Sequence, residues 1–240
     1  MKKLLLTTAL LILTFGLTAQ TRISTADFTE IRVSNAFNVL LIPSDRNEVV
    51  IPENLALPDG VTPKDIVNVS NGTLTIQLQL SYQNFFEWRK VRNFENKRKK
   101  NNPFITIYFE SLDALTLSGA VNAKSEQPIK GTTLRLRLSG ASDAKLNVDV
   151  NQITTNLSGA SDLTLIGKTN AHNLKASGAS DAKLKNFESL FTEVSLSGSS
   201  DAKISAQKIT GNASGASTLY INSNANRNVK TSGASSVKTY

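Results

Sequence analysis

The sequence contains no cysteine, one histidine and one tryptophan among its 240 residues, and each scarcity narrows the range of possible functions. Without cysteine the chain has no disulfide bonds, no thiolate metal ligands and no cysteine nucleophile. The sequence motifs of serine hydrolases, zinc proteases, nucleotide-binding loops and dinucleotide-binding folds are also missing. For the one histidine, His172, we predict a surface or corner position rather than a role as a general base. The sequence therefore nominates no catalytic residue and no cofactor.

Long hydrophobic runs are also missing, apart from one at the N-terminus. Lys2 and Lys3 precede an apolar stretch at residues 4–17, and small residues around Ala19 follow it. The stretch is shorter than the roughly 20 apolar residues that a membrane-spanning helix needs. The pattern predicts a secretory signal peptide over residues 1–19, cleaved after Ala19 or Gln20. We expect an exported protein, periplasmic, associated with the outer membrane or extracellular, without a transmembrane span in the mature chain.

Charge of one sign is only modestly in excess. Lysine and arginine number 27 against 19 aspartates and glutamates, which gives a formal net charge of +8. A positive charge of this size favours acidic partners such as phosphorylated or carboxylated glycans. We do not expect nucleic acid as a partner, because an exported protein seldom meets it.

From about Leu115 onward the sequence contains an internal repeat that resembles SGASDAKL. The repeat glycines are spaced by 21, 19, 19, 20, 17 and 18 residues. A nearly constant period without helical spacing of apolar residues indicates one coil of a solenoid for each repeat. Because glycine tolerates a positive φ, we predict that it forms the corner of each coil. The seven repeat glycines are Gly119, Gly140, Gly159, Gly178, Gly198, Gly215 and Gly233.

Each position after the repeat glycine has a nearly constant chemical character. Serine usually lies two residues after it, a polar residue three, an apolar residue four, most often lysine five, and leucine or isoleucine six. Positions four and six therefore face the core and positions three and five face solvent, which is the period of a β-strand. Serine and aspartate at the corner can bond local backbone groups. These patterns predict an all-β fold, a parallel β-helix (solenoid) of about 19-residue coils with an N-terminal β cap.

The third position supplies a column of aspartates that has two interpretations. Stacked carboxylates can bind calcium, but calcium prefers six to eight oxygen ligands without a cation nearby. A lysine two residues after the aspartate usually supplies the counter-charge here. We therefore favour a solvated charge ladder that keeps the coils in register, and we predict no metal site. The aspartates are Asp143, Asp162, Asp181 and Asp201.

Residues 20–114 lack the repeat and are predicted to form the cap, continuous with the β-helical repeat region at 115–240. We interpret FTEIRVSNAFNVLLIPS and NEVVIP as two strands and PFITIYFE as another, with Asn71-Gly72 at the turn of a hairpin. An independent small β domain is the alternative.

An insertion in the cap, at residues 82–102, combines positive charge with aromatic side chains. Such a mixture can bind anionic sugars, lipid head groups or phosphates, and a basic amphipathic stretch can also lie on a membrane surface. Alternatively, the segment is a solvated insertion whose aromatics cover one end of the core. The insertion is the best local prediction of a ligand-binding site. The residues predicted to carry it are Phe85, Phe86, Trp88, Arg89, Lys90 and Arg92.

The SGASDAKL units, the NGTLTIQL hairpin before them and the signal peptide resemble the auto-transporter adhesin head domain family, also called the head GIN domain family. The resemblance extends from about Phe28 to Tyr240. It implies an exported bacterial protein with a β-helical, all-β fold and an adhesin-like role, and it supplies no catalytic residues.

We therefore predict an exported, non-enzymatic, adhesin-like binding module of the bacterial envelope or surface. Its expected partner is a glycan, another envelope polymer or a surface protein. One alternative is a β-helical lyase or glycosidase that acts on polysaccharide, although the sequence nominates no pair of acids for that chemistry. The other is a structural or regulatory envelope protein with a protein partner.

Overall fold

The computed structural model describes residues 20–78 and 103–240, which form one 17-stranded β-sheet wound into a solenoid. One helical element, a 3₁₀ turn at Pro63–Ile66, occurs within these ranges. The predicted signal peptide and the predicted ligand-binding insertion at 82–102 lie outside the described residues. The strands are β1 Gln20–Ser24, β2 Glu30–Val33, β3 Asn38–Pro43, β4 Glu48–Pro52, β5 Val67–Ser70, β6 Thr73–Ile76, β7 Phe104–Phe109, β8 Ala114–Leu117, β9 Asn122–Lys124, β10 Ile129–Leu138, β11 Asp143–Leu157, β12 Asp162–Ala176, β13 Asp181–Leu196, β14 Asp201–Ala213, β15 Thr218–Ile221, β16 Asn226–Thr231 and β17 Ser236–Thr239.

Successive coils pair through parallel strands held in register. β11 pairs with β12 from Asp143↔Asp162 to Leu157↔Ala176, and β10, β13 and β14 extend the same ladder. Each of these strands thus finds its backbone partners in the coils on either side of it. The prediction of a β-solenoid from the glycine repeat is confirmed, with about seven turns and a coil spacing of about 19 residues.

The repeat glycines form the first corner of each coil and stack directly on one another. Gly159 has a φ of 77°, and a Cβ added to it would lie 2.5 Å from the carbonyl oxygen of Gly140. A side chain is therefore excluded both by the backbone conformation and by the neighbouring coil. In the first coil Asn35, with a φ of 70°, occupies the equivalent corner, and Gly119 stacks on it. Asparagine is one of the few non-glycine residues that adopt this conformation readily.

The serine two residues after the corner glycine is buried and bonds the corner itself. Ser180 Oγ donates to the carbonyl oxygen of Ser177 at 2.8 Å, and the serines at 161 and 200 repeat this contact with the same distance. The prediction that corner serines satisfy local backbone groups is confirmed. Leucine, isoleucine, valine and alanine at the alternate positions of each strand fill the interior of the solenoid.

At the N-terminal end, β2 and β3 form a coil that pairs in parallel with β8 and β9. The segment FTEIRVSNAFNVLLIPS, expected as one strand, is therefore two strands, because the left-handed backbone of Asn35 turns the chain between them. The predicted hairpin is confirmed as antiparallel β5 and β6, and PFITIYFE is confirmed as β7. β7 also pairs antiparallel with β4, and β4 pairs antiparallel with β1.

No helix within residues 20–78 and 103–240 is long and apolar enough to cross a membrane.

Candidate binding groove

A groove of about 640 Å³ runs along the outside of the solenoid at the second corner of the coils. Its bottom is one row of residues that pair with each other from β10 to β14. Five strands spaced by about 4.8 Å give the row a length of about 19 Å along the solenoid axis. The residues of the bottom row are Gly131, Val150, Thr169, Ser189 and Ala206.

The two rims of the groove are the rows of residues on either side of the bottom row. One rim precedes it in each strand and carries charge, whereas the other follows it and carries amides and one leucine. Asn222 and Asn224 line the end nearest the C-terminus. The charged rim consists of Asp149, Lys168, Glu188 and Ser205, and the amide rim of Asn151, Asn170, Leu190 and Gln207.

The groove forms because the chain turns from one face of the solenoid to the next at the amide rim. In β11 and β12 the ladder pairs Val150 with Thr169 and then Gln152 with Ala171, so that the residues between them are left out of the pairing. The bottom row next to this turn is buried from Val150 to Ala206, so it lies below the outward side chains of the two rims and leaves a channel between them. The channel is thus a consequence of the coil geometry.

A difference in coil length shapes the groove further. The pairing of β13 with β14 passes from Leu184↔Ile204 directly to Glu188↔Ser205, so that residues 185–187 of β13 have no partner in β14. Of these, Phe187 turns into the core and is buried. Leu190, which follows on the rim, is 50% exposed and is the most exposed large apolar side chain in the described part of the chain.

Hydrogen bonds hold several groove side chains in place. Asn170 Nδ2 donates to Asn151 Oδ1 at 2.6 Å, and Thr169 Oγ1 donates to the carbonyl oxygen of Asn151 at 3.1 Å. At the other end, Asn222 Oδ1 accepts the backbone N–H of Ala206 at 3.0 Å. Each amide uses part of its bonding capacity in these contacts and keeps further donors or acceptors for a ligand. These four polar side chains of the groove are therefore preorganised.

The electrostatic character of the groove is close to neutral. On the charged rim Lys168 Nζ lies 3.9 Å from Asp149 Oδ2, and Glu188 is the other ionised group. The charged rim thus carries two negative charges and one positive charge, whereas amides and hydroxyls supply most of the remaining polar groups of the groove. Such a lining suits a ligand that both donates and accepts hydrogen bonds along its length.

The aspartate column lies in register on another stretch of the coils, where each aspartate pairs with the next. Burial, and then the charge of Asp162, raise the pKa of Asp143 and of Asp181, whereas Lys183 acts in the opposite direction. Lys183 Nζ approaches Asp162 Oδ2 at 3.4 Å. In the described ranges no three acidic or histidine side chains are grouped so as to hold a metal ion.

The prediction of a surface or corner position for His172 is wrong. Its side chain is buried in the interior, where Nε2 lies 3.1 Å from Thr155 Oγ1 and the ring meets Phe187 edge-to-face at 5.8 Å. Burial lowers the pKa of His172 to about 3, so that the ring is neutral at physiological pH. It is a core residue without access to the groove.

Sequence reasoning also missed the groove, although a signal was present. Its amide rim has no constant residue type, and its members lie 8, 8, 9 and 6 residues after the aspartate of their repeats. Counted back from the next repeat glycine, each of them lies eight residues before it. Alignment on the following glycine would have placed the four residues in one column.

Comparison with known proteins confirms the resemblance to the adhesin head family. The family described as "Putative auto-transporter adhesin, head GIN domain" matches residues 27–238. A "putative adhesin" from Bacteroides fragilis NCTC 9343 is 18% identical, with a TM-score of 0.74 over 92% of this chain and 96% of that chain. A "Putative lipid binding protein" from Parabacteroides distasonis ATCC 8503 is 16% identical, with a TM-score of 0.64 over 92% and 96% of the two chains. At these identities the likeness establishes a shared fold, and no curated protein matches the chain significantly.

Proposed function

Because the chain belongs to the family described as "Putative auto-transporter adhesin, head GIN domain", we propose that it is an exported, non-enzymatic adhesin-like module that binds a glycan along the groove. The proposed location is the periplasm, the outer membrane or the outside of a bacterial cell, as the predicted signal peptide suggests.

The observation that carries this proposal is the direction and chemistry of the groove. It follows the solenoid axis across five strands, which suits an extended polymer better than a compact small molecule. Its amides and hydroxyls match the closely spaced hydroxyl groups of a sugar chain, and Leu190 offers an apolar surface to a sugar ring. Preorganised side chains reduce the entropy that binding costs.

A polysaccharide array probed with the full chain tests the proposal. We expect binding to at least one envelope or extracellular polysaccharide, and a loss of at least tenfold in affinity for the groove variant Asn170→Ala/Leu190→Ala/Gln207→Ala. The matched control, Asn173→Ala/Asn212→Ala/Asn228→Ala, changes three amides that lie on the flat face of the same solenoid. It should bind within twofold of the unmodified protein.

Three results would contradict this function. They are the absence of any glycan signal, equal loss in the groove variant and its control, or binding to lipid vesicles or a protein alone. Release of oligosaccharides from a bound polysaccharide would instead show the enzyme that we weighed as an alternative.

The predicted ligand-binding insertion is tested by the same array. The variant Trp88→Ala with charge reversal at Arg89 and Lys90 should weaken binding of acidic glycans if the insertion contributes to the contact. An unchanged signal would remove the insertion from the proposed binding surface. Fractionation and surface proteolysis of the native bacterium would test the proposed location.

A further inference from the structure

The flat face of the solenoid contains a second, smaller depression, which we call the arginine pit. It encloses about 410 Å³ and is lined by Glu30 and Arg32 of β2, Ala114 and Thr116 of β8, and Arg135 and Arg137 of β10. Neither the repeat nor the groove accounts for this cluster.

The depression arises because a strand with small side chains lies between two strands with long ones. The pairing places Glu30, Ala114 and Arg135 in one row and Arg32, Thr116 and Arg137 in the next. The outer strands of such a triplet are separated by two strand spacings, or about 9.6 Å. The long side chains therefore form two walls, and Ala114 and Thr116 form the floor.

The charges in the pit are unequal, with three arginines against one glutamate. Glu30 Oε1 accepts from Arg135 at 2.9 Å, and its other oxygen lies 3.5 Å from Arg32. The side chain of Arg137 makes no hydrogen bond or ion pair with any residue of the described ranges.

The residues beyond the walls do not balance this charge. Thr75 adjoins Arg32 and Asn156 adjoins Arg137 in the same row, and both are uncharged. Among the described residues, the row through Thr116 therefore presents two guanidinium groups with a hydroxyl between them, and the one carboxylate beside it is that of Glu30 in the next row, 3.5 Å from Arg32.

We propose that the arginine pit binds a negatively charged substituent, a carboxylate or a sulfate, on the glycan chain that the groove holds. Arg32 and Arg137 contact the anion from opposite walls, the Thr116 hydroxyl donates to it from the floor, and Glu30 holds Arg135 in the wall. Guanidinium groups suit this task because their parallel N–H donors match the oxygens of such anions.

The position of the pit relative to the groove fits one continuous ligand. The inference therefore rests on the proposed function, in which the groove holds a glycan chain. Gly131, at one end of the groove, precedes Arg135 by four residues of the same strand. The strand turns between the two at Thr132, and the path along it is about 13 Å, so that a ligand that leaves the groove at β10 and follows this turn can reach the pit.

The test compares binding of the full chain to immobilised polygalacturonate, which carries carboxylates, dextran sulfate, which carries sulfates, and neutral dextran. We expect at least tenfold tighter binding to one of the acidic polymers than to dextran, and the polymer that binds identifies the substituent. The variant Arg32→Gln/Arg137→Gln should lose at least tenfold in affinity for it. Because both side chains are exposed, the variant should keep the melting temperature of the unmodified protein.

The matched control is Lys64→Gln/Lys145→Gln, which removes the same charge at exposed positions away from the pit. It should bind within twofold of the unmodified protein. Equal loss in this control would overturn the proposal by showing a general effect of net charge. Unchanged binding of the arginine variant, or no preference for acidic polymers, would overturn it as well.

The groove variant separates the two proposals. Loss of binding in the groove variant with an unaffected arginine variant overturns the pit and leaves the proposed function standing. Loss in the arginine variant alone retains the pit and contradicts the role of the groove.

Discussion

At the scale of single residues, the burial of His172 has a direct consequence for stability. The pKa of its ring is about 3 in the folded protein, well below the usual value of 6.5 that the unfolded chain recovers. As the pH falls below 6.5, His172 becomes protonated in the unfolded chain but stays neutral in the folded protein. The free energy of unfolding therefore decreases as the pH falls from 6.5 towards 3. Between pH 7 and pH 5 this contribution amounts to about 2 kcal/mol.

We therefore expect His172→Leu to lose less stability between pH 7 and pH 5 than the unmodified protein does. Leucine is a suitable replacement, since Leu134 occupies the equivalent place six residues before a repeat glycine. Urea unfolding at the two pH values measures the difference. An identical pH dependence in the two proteins would show that His172 is not protonated on unfolding in this range.

The aspartate column provides a second prediction at this scale. The charge of Asp162 contributes to the raised pKa of Asp143 and of Asp181, after the larger effect of burial. Asp162→Asn should therefore lower the pKa of both neighbours towards the usual value. Carboxyl chemical shifts followed by NMR during a pH titration report this change, and Asp149→Asn, on the groove rim, serves as the control. If the pKa values of Asp143 and Asp181 do not change, the charge of Asp162 has no effect on its neighbours.

At the scale of the structural element, the glycine corner is a steric requirement of the stack. Gly159→Ala should destabilise the protein by about 3 kcal/mol or more, because the methyl group meets the Gly140 carbonyl in addition to the cost of a left-handed backbone. Gly60→Ala isolates the backbone cost, since Gly60 has a φ of 78° but nothing within 4 Å of an added Cβ. We expect Gly60→Ala to lower the free energy of unfolding by about 1 kcal/mol. Equal effects in thermal or urea unfolding would refute the steric argument.

The corner also explains how much of the structure the sequence predicts. Alignment on the preceding glycine gives the inward and outward positions of the first strand of each coil, and hence the solenoid. It fails beyond the point where coil length varies, as at residues 185–187, which have no partner in β14. His172 and the groove rims lie beyond that point, so this alignment could not assign them to the interior or to the surface. The arginine pit could not be predicted for a different reason. Two of its residues, Glu30 and Arg32, come from β2, which lies outside the repeat.

At the scale of the whole molecule, each coil contacts mainly its neighbours, so a complete coil should be removable. Deletion of residues 140–158 joins Ser139 to Gly159 and restores the SGASD corner, while β10 faces β12 in place of β11. We expect a folded protein with the same far-UV circular dichroism per residue and a groove shorter by one strand. Its affinity for the polysaccharide should be lower.

The control deletion, residues 140–149, removes about half a coil and destroys the register of the corners. It should not fold cooperatively. If both deletions unfold the protein alike, the coils are not the independent units that the pairing suggests.

The hydrogen bonds between coils point along the solenoid axis, and this would have a mechanical consequence if the protein holds a cell to a surface, as the proposed adhesin role implies. A force that pulls the two ends apart acts on one coil interface after another, so extension proceeds by unzipping from whichever end yields first. If a polymer binds along the groove as proposed, it would lie parallel to the same force and contact all five strands that line the groove. The ligand would thus hold these coils together, and the part of the solenoid that binds it should be the last to unfold under force.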